Sequence, residues 1–173
     1  ISYSNQTIRI TVTDNSSATI SVSGQPVIGG SPVAFHLSDP TMPNKQYIFA
    51  AALGSLPGIP LPGNRLIQLN PDFVFYSMMF YPQLLGFSNT FGTLDSQGQA
   101  TVTWNIPSSV AVPGVTVYFD FITVDYPTPQ PVIPSIAPGV SLTLLSQPPP
   151  PPPPNNTNFT WPLVALWHFD EGN

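Results

Sequence analysis

The sequence predicts an all-β protein, an antiparallel β-sandwich of the Ig-like or jelly-roll-like kind with about nine strands, followed by a polyproline II linker and one extra strand. Three observations carry that expectation. Apolar and polar residues alternate with a period of two along most of the chain. Turn-forming Gly, Pro, Asn and Asp interrupt the alternation at short, regular intervals. Seven consecutive prolines at 148–154 then set the last segment apart.

Taken in order, residues 7–13 place Ile8, Ile10 and Val12 on one face and Thr7, Arg9, Thr11 and Thr13 on the other. Asp14, Asn15, Ser16 and Ser17 read as a turn, and residues 18–23 return with Ile20 and Val22 inward, a half-buried hairpin. Val33, Phe35 and Leu37 share a face in the next strand, and residues 47–53 supply another. Pro-Gly steps at 57–58 and 62–63 favour type II turns, so 54–64 reads as a meandering loop, followed by residues 65–69. Asn70-Pro71-Asp72 is a turn or cap signal, and the apolar run 73–81 fits a buried strand or a short helix. The plainest hairpin is 92–104, with Asp95-Ser96-Gln97-Gly98 at its turn and Gly98 expected at positive φ. Strands at 115–125 and 140–145 complete the set, and no helix longer than about two turns is expected.

Proline fixes φ and lacks an N–H, so 148–154 is expected to be an extended rod rising about 3.1 Å per residue. The domain reading is therefore a sandwich at 1–147, a Pro/Asn-rich linker at 148–160 and an apolar tail strand at 161–173. That tail is too short to form a core, so it must pair with something outside itself or begin a following domain.

Composition narrows the function. Three basic residues against eight acidic ones give a net charge of −5, and only 6% of residues are charged. An ordinary globular domain has about 25%. Arg9, Lys45 and Arg65 cannot form the positive stripe a nucleic-acid backbone requires, and they give anionic membranes little to attract. No apolar stretch reaches the roughly 18 residues needed for membrane insertion as a helix. Without cysteine, disulfides and thiolate metal sites are excluded. Opening at Ile1 with neither an initiator Met nor a signal-peptide pattern, the chain reads as a processed or excised product. Sequons at Asn5, Asn15, Asn155 and Asn158 suit an exported, glycosylated protein.

The residues give no catalytic constellation, no cofactor motif and no metal motif. His36 and His168 are the only histidines, lie far apart in sequence and read as surface or strand-pairing residues. The acids are mostly single and at turns, where Asp bends and caps backbone. Asp14, Asp39 and Asp95 are the turn positions a calcium ion would use, but no loop has dense acidic spacing. Tyr76, Phe80, Tyr81, Trp104, Tyr118, Phe119, Phe121 and Tyr126 are core candidates first and sugar-stacking candidates second, with Trp104 and Tyr118 suited to a half-exposed face.

Residues 46–145 carry Ile59-Pro-Leu-Pro-Gly63, Leu69-Asn-Pro-Asp72, the 92–103 turn segment, Ile106-Pro107, Pro113-Gly-Val-Thr-Val-Tyr118 and Val140-Ser-Leu-Thr-Leu144. In these the chain resembles a secreted β-domain of large surface proteins from planctomycetes and related bacteria. The resemblance implies an extracellular, cell-surface setting and supplies no catalytic residue. Residues 163–172, Leu-Val-Ala-Leu-Trp-His-Phe-Asp-Glu-Gly, resemble the opening strand of laminin-G-like, concanavalin-type jelly-roll domains.

Two readings of function follow. The first is a non-enzymatic extracellular structural subunit of a filament or sheath, in which the tail adds as a strand to another copy, head to tail. Leu163, Ala165, Trp167 and Phe169 would form one face of that strand, and Leu166 would anchor the other with Val164 and His168. The second is a spacer or a carbohydrate-binding or adhesion module with glycan partners.

Overall fold

The computed structural model describes residues 17–126 and 132–147. The strand expected at 7–13, the linker at 148–160 and the tail at 161–173 lie outside the described residues. The described chain runs β1 (Thr19–Ser23), β2 (Val33–Ser38), β3 (Gln46–Ala52), β4 (Ile59–Leu61), β5 (Arg65–Ile67) and α1 (Phe73–Phe80). A 3-10 turn (Pro82–Leu85) leads into β6 (Phe87–Ser88), β7 (Phe91–Thr93), β8 (Gln99–Trp104), β9 (Thr116–Val124) and β10 (Val140–Thr143).

These strands build two four-stranded antiparallel sheets, with orders β1-β2-β8-β6 and β10-β9-β3-β7. Alternation puts Val33, Phe35 and Leu37 of β2 and Val102 and Trp104 of β8 inward from the first sheet. Phe49 of β3 with Val117, Phe119 and Phe121 of β9 answers from the second. The two faces meet through rings. Phe35 lies 5.0 Å from Phe49 and 4.6 Å from Phe119, and Trp104 meets Phe119 edge-on at 5.4 Å. The fold is the expected all-β sandwich.

A third layer covers the outer face of the second sheet. Ala50 and Ala52 are small enough to let α1 approach, and with Leu69 they pack against Ile67, Phe75, Met79 and Tyr118. The short ribbon β4–β5 belongs to this layer. Sequence reading treated 54–64 as loop; its strands are only three residues each, below the length at which alternation is legible.

One expectation is corrected and one open alternative is decided. Residues 92–104 do not form a hairpin, because β7 pairs with β3 in one sheet whereas β8 pairs with β2 in the other. The turn is an arch between sheets. Gly98 holds it, with φ at +77°, and an added Cβ would overlap the Asp39 carbonyl oxygen. Asp39 N donates to Gly98 O at 2.8 Å, so the arch is bonded to the end of β2. The apolar run at 73–81 resolves to a helix over Phe73–Phe80, because Asp72 caps it. Asp72 is extended, and its Oδ1 accepts from Val74 N at 2.9 Å and Phe75 N at 3.1 Å.

Candidate functional site

Helix α1 has no polar face. Its sequence FVFYSMMF is apolar on every side, whereas a helix on a protein surface normally carries a polar stripe. Met78 is buried, and Val74, Phe75 and Met79 are partly buried against the sandwich, while Phe73, Tyr76 and Phe80 point outward at the three- and four-residue spacing of a single stripe. Asp72 fixes where the helix sits, because its Oδ2 accepts from Leu53 N, just beyond β3, at 2.7 Å. Pro82 ends it by disfavouring helical backbone at Tyr81.

The 3-10 turn then closes on Gly86, at φ +83°, where an added Cβ would overlap the Asn105 carbonyl oxygen. That close approach brings the Leu85 carbonyl to the Trp104 indole, whose Nε1 donates to it at 2.9 Å. Trp104 stacks on Phe87 with centroids 4.8 Å apart and planes 8° apart. This pair lies at the base of an apolar groove of about 450 Å³. Its walls come from α1 and the 3-10 turn on one side, the 107–112 segment on another, and Val117 of β9 with Val115 and Leu144, which flank β9 and β10. Phe73 is 78% exposed, Leu84 68% and Val112 59%, with Leu53, Tyr81 and Val110 also open. Contiguous exposed apolar surface of this kind makes the groove the candidate interaction site.

The ionisable groups are engaged in structure. Asp39 is fully buried at the end of β2; its Oδ1 accepts from Thr41 Oγ1 at 2.7 Å and Ser17 Oγ at 3.1 Å, and its Oδ2 accepts from Ser135 Oγ. Ser135 in turn bonds Thr123 Oγ1 of β9 at 2.7 Å, so the carboxylate ties one sheet to the other. Asp95 Oδ1 accepts from Gln97 N and Gln99 N within the arch, both at 2.8 Å. Among the described residues, no group of three or more His, Cys, Asp or Glu is placed to hold a metal.

Asp120 differs. It lies on the outer face of the second sheet beneath the third layer, 1% exposed, where Oδ2 accepts from Gln68 N at 3.2 Å and Oδ1 has no partner among the described residues. Burial raises its pKa from the ordinary 3.8 to about 7, against the opposing backbone bonds from Gln68 and Phe121. Beside it is an apolar hollow of about 90 Å³ lined by Leu69, Phe75 and Met79 among others. Asp125 is held below the usual carboxylate range by its bond to Lys45 Nζ at 2.8 Å. His36 is exposed on the outer face of the first sheet, its ring between Ser23 Oγ at 3.1 Å and Thr101 Oγ1 at 3.4 Å.

No family model matches the chain, and no curated protein or solved structure matches it.

Of the partner-binding residues read from sequence, Leu163, Ala165, Leu166, Trp167 and Phe169 lie outside the described residues, as do the sequons at Asn5, Asn15, Asn155 and Asn158, and His168. The aromatics divide. Trp104, Phe119 and Phe121 are buried, Tyr118 is half buried in the third layer, and Tyr76, Phe80, Tyr81 and Tyr126 are exposed. Trp104 is therefore core, with its polar edge satisfied internally. Phe73, Leu84, Val110 and Val112, which rim the groove, escaped sequence reading. The signal was present in the unbroken apolar run at 73–81 and in Val110-Ala-Val112, neither of which has the alternation that would hide one face.

Proposed function

We propose that this chain is a non-enzymatic, extracellular structural subunit of a cell-surface filament or sheath, assembling by strand addition through its C-terminal tail. The observation that carries the reading is the apolar groove, which nothing covers among the described residues. A chain this poor in charge, with an apolar helix face outward, suits a protein buried by its own neighbours. The resemblance of 46–145 to secreted surface-protein domains supports the extracellular setting. Among the described residues, strand β10 ends its sheet and its Val140–Thr143 ladder is with β9 alone, an edge suited to an added strand.

The test compares the full chain with a Leu166→Asp, Trp167→Asp double variant by size-exclusion chromatography and negative-stain microscopy. Large oligomers or filaments are expected from the first and a folded monomer from the second. Equal assembly of both, or none from either, refutes the reading.

One observation favours the alternative of a carbohydrate-binding or spacer module. A polar concavity of about 350 Å³ on the outer face of the first sheet is lined by Thr19, Ser21, His36, Asp95, Gln99 and Thr101, side chains suited to glycan hydroxyls. Monodisperse monomers that bind on a glycan array would establish it.

A further inference from the structure

We propose that the apolar groove between α1, the 3-10 turn and the 107–112 segment is the acceptor for residues 163–169 of a neighbouring copy. This inference rests on the assembly reading and names its docking site. At about 450 Å³ the groove is as large as pockets that enclose a small-molecule ligand, about 300–1,000 Å³, which is room for a few apolar side chains. Its lining is apolar apart from Ser77 and the Tyr81 hydroxyl, and no charged residue contributes to it. The 163–169 segment matches that chemistry. Leu163, Ala165, Trp167 and Phe169 alternate onto one face of an extended strand, and the first charges, Asp170 and Glu171, come just beyond it. Trp is the residue most enriched among interface anchors, which assigns Trp167 the central place.

The choice of a neighbour's groove over the segment's own comes from the assembly reading on which this inference rests. Leu144 is part of the wall, and the next residue is pinned there: Leu145 N donates to Pro26 O at 2.9 Å, and Leu145 O accepts from Ile28 N at 3.0 Å. The described body ends at Gln147, immediately before the seven prolines. Seven prolines reach about 22 Å when extended and the eight residues 155–162 reach up to about 26 Å, so chain length lets the segment meet either its own groove or another copy's, and the crosslinking below separates the two. With a neighbour the contact is heterologous, tail of one copy on groove of the next, and repeats without closing.

Because the chain contains no cysteine, the site can be probed by disulfide trapping. Full-length Leu84→Cys and Phe169→Cys chains carrying different tags are mixed and oxidised, beside a control in which Thr101→Cys on the far face replaces Leu84→Cys. A crosslink joining the two tags, absent from the control, is expected. In a second measurement, Leu84→Asp with Val112→Asp is made in the full chain; both sites are exposed, so the fold is retained. The concentration needed for assembly should rise at least about tenfold. If the Leu166→Asp, Trp167→Asp variant stops assembly while the groove variant assembles normally and no crosslink forms, the acceptor lies elsewhere and only this inference falls. A crosslink formed solely within single Leu84→Cys, Phe169→Cys chains shows the groove taking its own tail and overturns the neighbour. A wild-type chain that never assembles overturns the assembly reading itself.

Discussion

Replacing Asp120 with Asn should abolish a pH dependence of stability that the wild-type chain owes to one buried carboxyl. Asp120 is 1% exposed and Oδ1 has no partner among the described residues, and burial lifts its pKa from 3.8 to about 7. The direction follows from proton linkage. Well below pH 3.8 the group is protonated in both folded and unfolded chains and exerts no differential effect. As pH rises through the interval from 3.8 to about 7, the unfolded chain ionises freely while the folded chain resists, so stability falls, and above that interval the loss is complete. Each tenfold difference in proton affinity is worth about 1.4 kcal/mol, so the full loss is about 4 kcal/mol. At a urea slope of about 2 kcal/mol per molar, the midpoint contributed by this group drops by about 2 M. Asn keeps an acceptor for Gln68 N and carries no charge. Urea unfolding from pH 4 to pH 8, followed by tryptophan fluorescence, should show the variant gaining on the wild type steadily and leading it by several kcal/mol at pH 8. Taking the difference between the two removes the opposite trend from Asp125, whose lowered pKa makes Lys45 pairing a contribution lost on acidification. A difference that stays constant across the pH range would refute the assignment of a desolvated carboxyl to position 120.

Two further changes test the frame of the groove and the arch. Asp72→Ala removes the cap of α1 and the acceptor of Leu53 N, and should lower stability by about 1–2 kcal/mol in denaturant unfolding, while Asp72→Asn, which retains an acceptor oxygen, loses less. Gly98→Ala places a Cβ against the Asp39 carbonyl at a positive φ and should lower stability by at least about 2 kcal/mol, measured as a fall in the urea midpoint at unchanged slope.

Period-two alternation made the sandwich legible, because burial on one face of each sheet leaves its trace in every second residue. Val33, Phe35 and Leu37 in β2 are the plainest case, each buried and each separated by a more exposed neighbour. Alternation carries no information about which sheet a strand joins. That is why the arms of 92–104 read as a hairpin although they part at Gly98. Helix α1 was half legible: Asp72 was visible as a cap signal, yet a run that is apolar on all sides has no period to read. The groove inherits that difficulty. Its residues are drawn from segments far apart in sequence, from Leu53 to Leu144, and their common property is exposure, which sequence does not display. Asp120 is one acid among eight in the chain, and nothing in Tyr118-Phe119-Asp120-Phe121 foretells that the ribbon and helix will bury it.

The arch at 95–98 also bears on how the chain reaches its native state. Since β7 and β8 part company there, the segment cannot nucleate as a self-contained hairpin, and the main ladders must join distant stretches: Val33 with Trp104, and Gln46 with Val124. Loops that long close late, and chains dominated by such pairings fold in milliseconds to seconds, with unpaired strands exposed meanwhile. For a chain that carries an apolar tail of its own, the order of events matters. A body that closes before it meets other copies offers the tail a finished partner, whereas one still open offers it every unpaired edge.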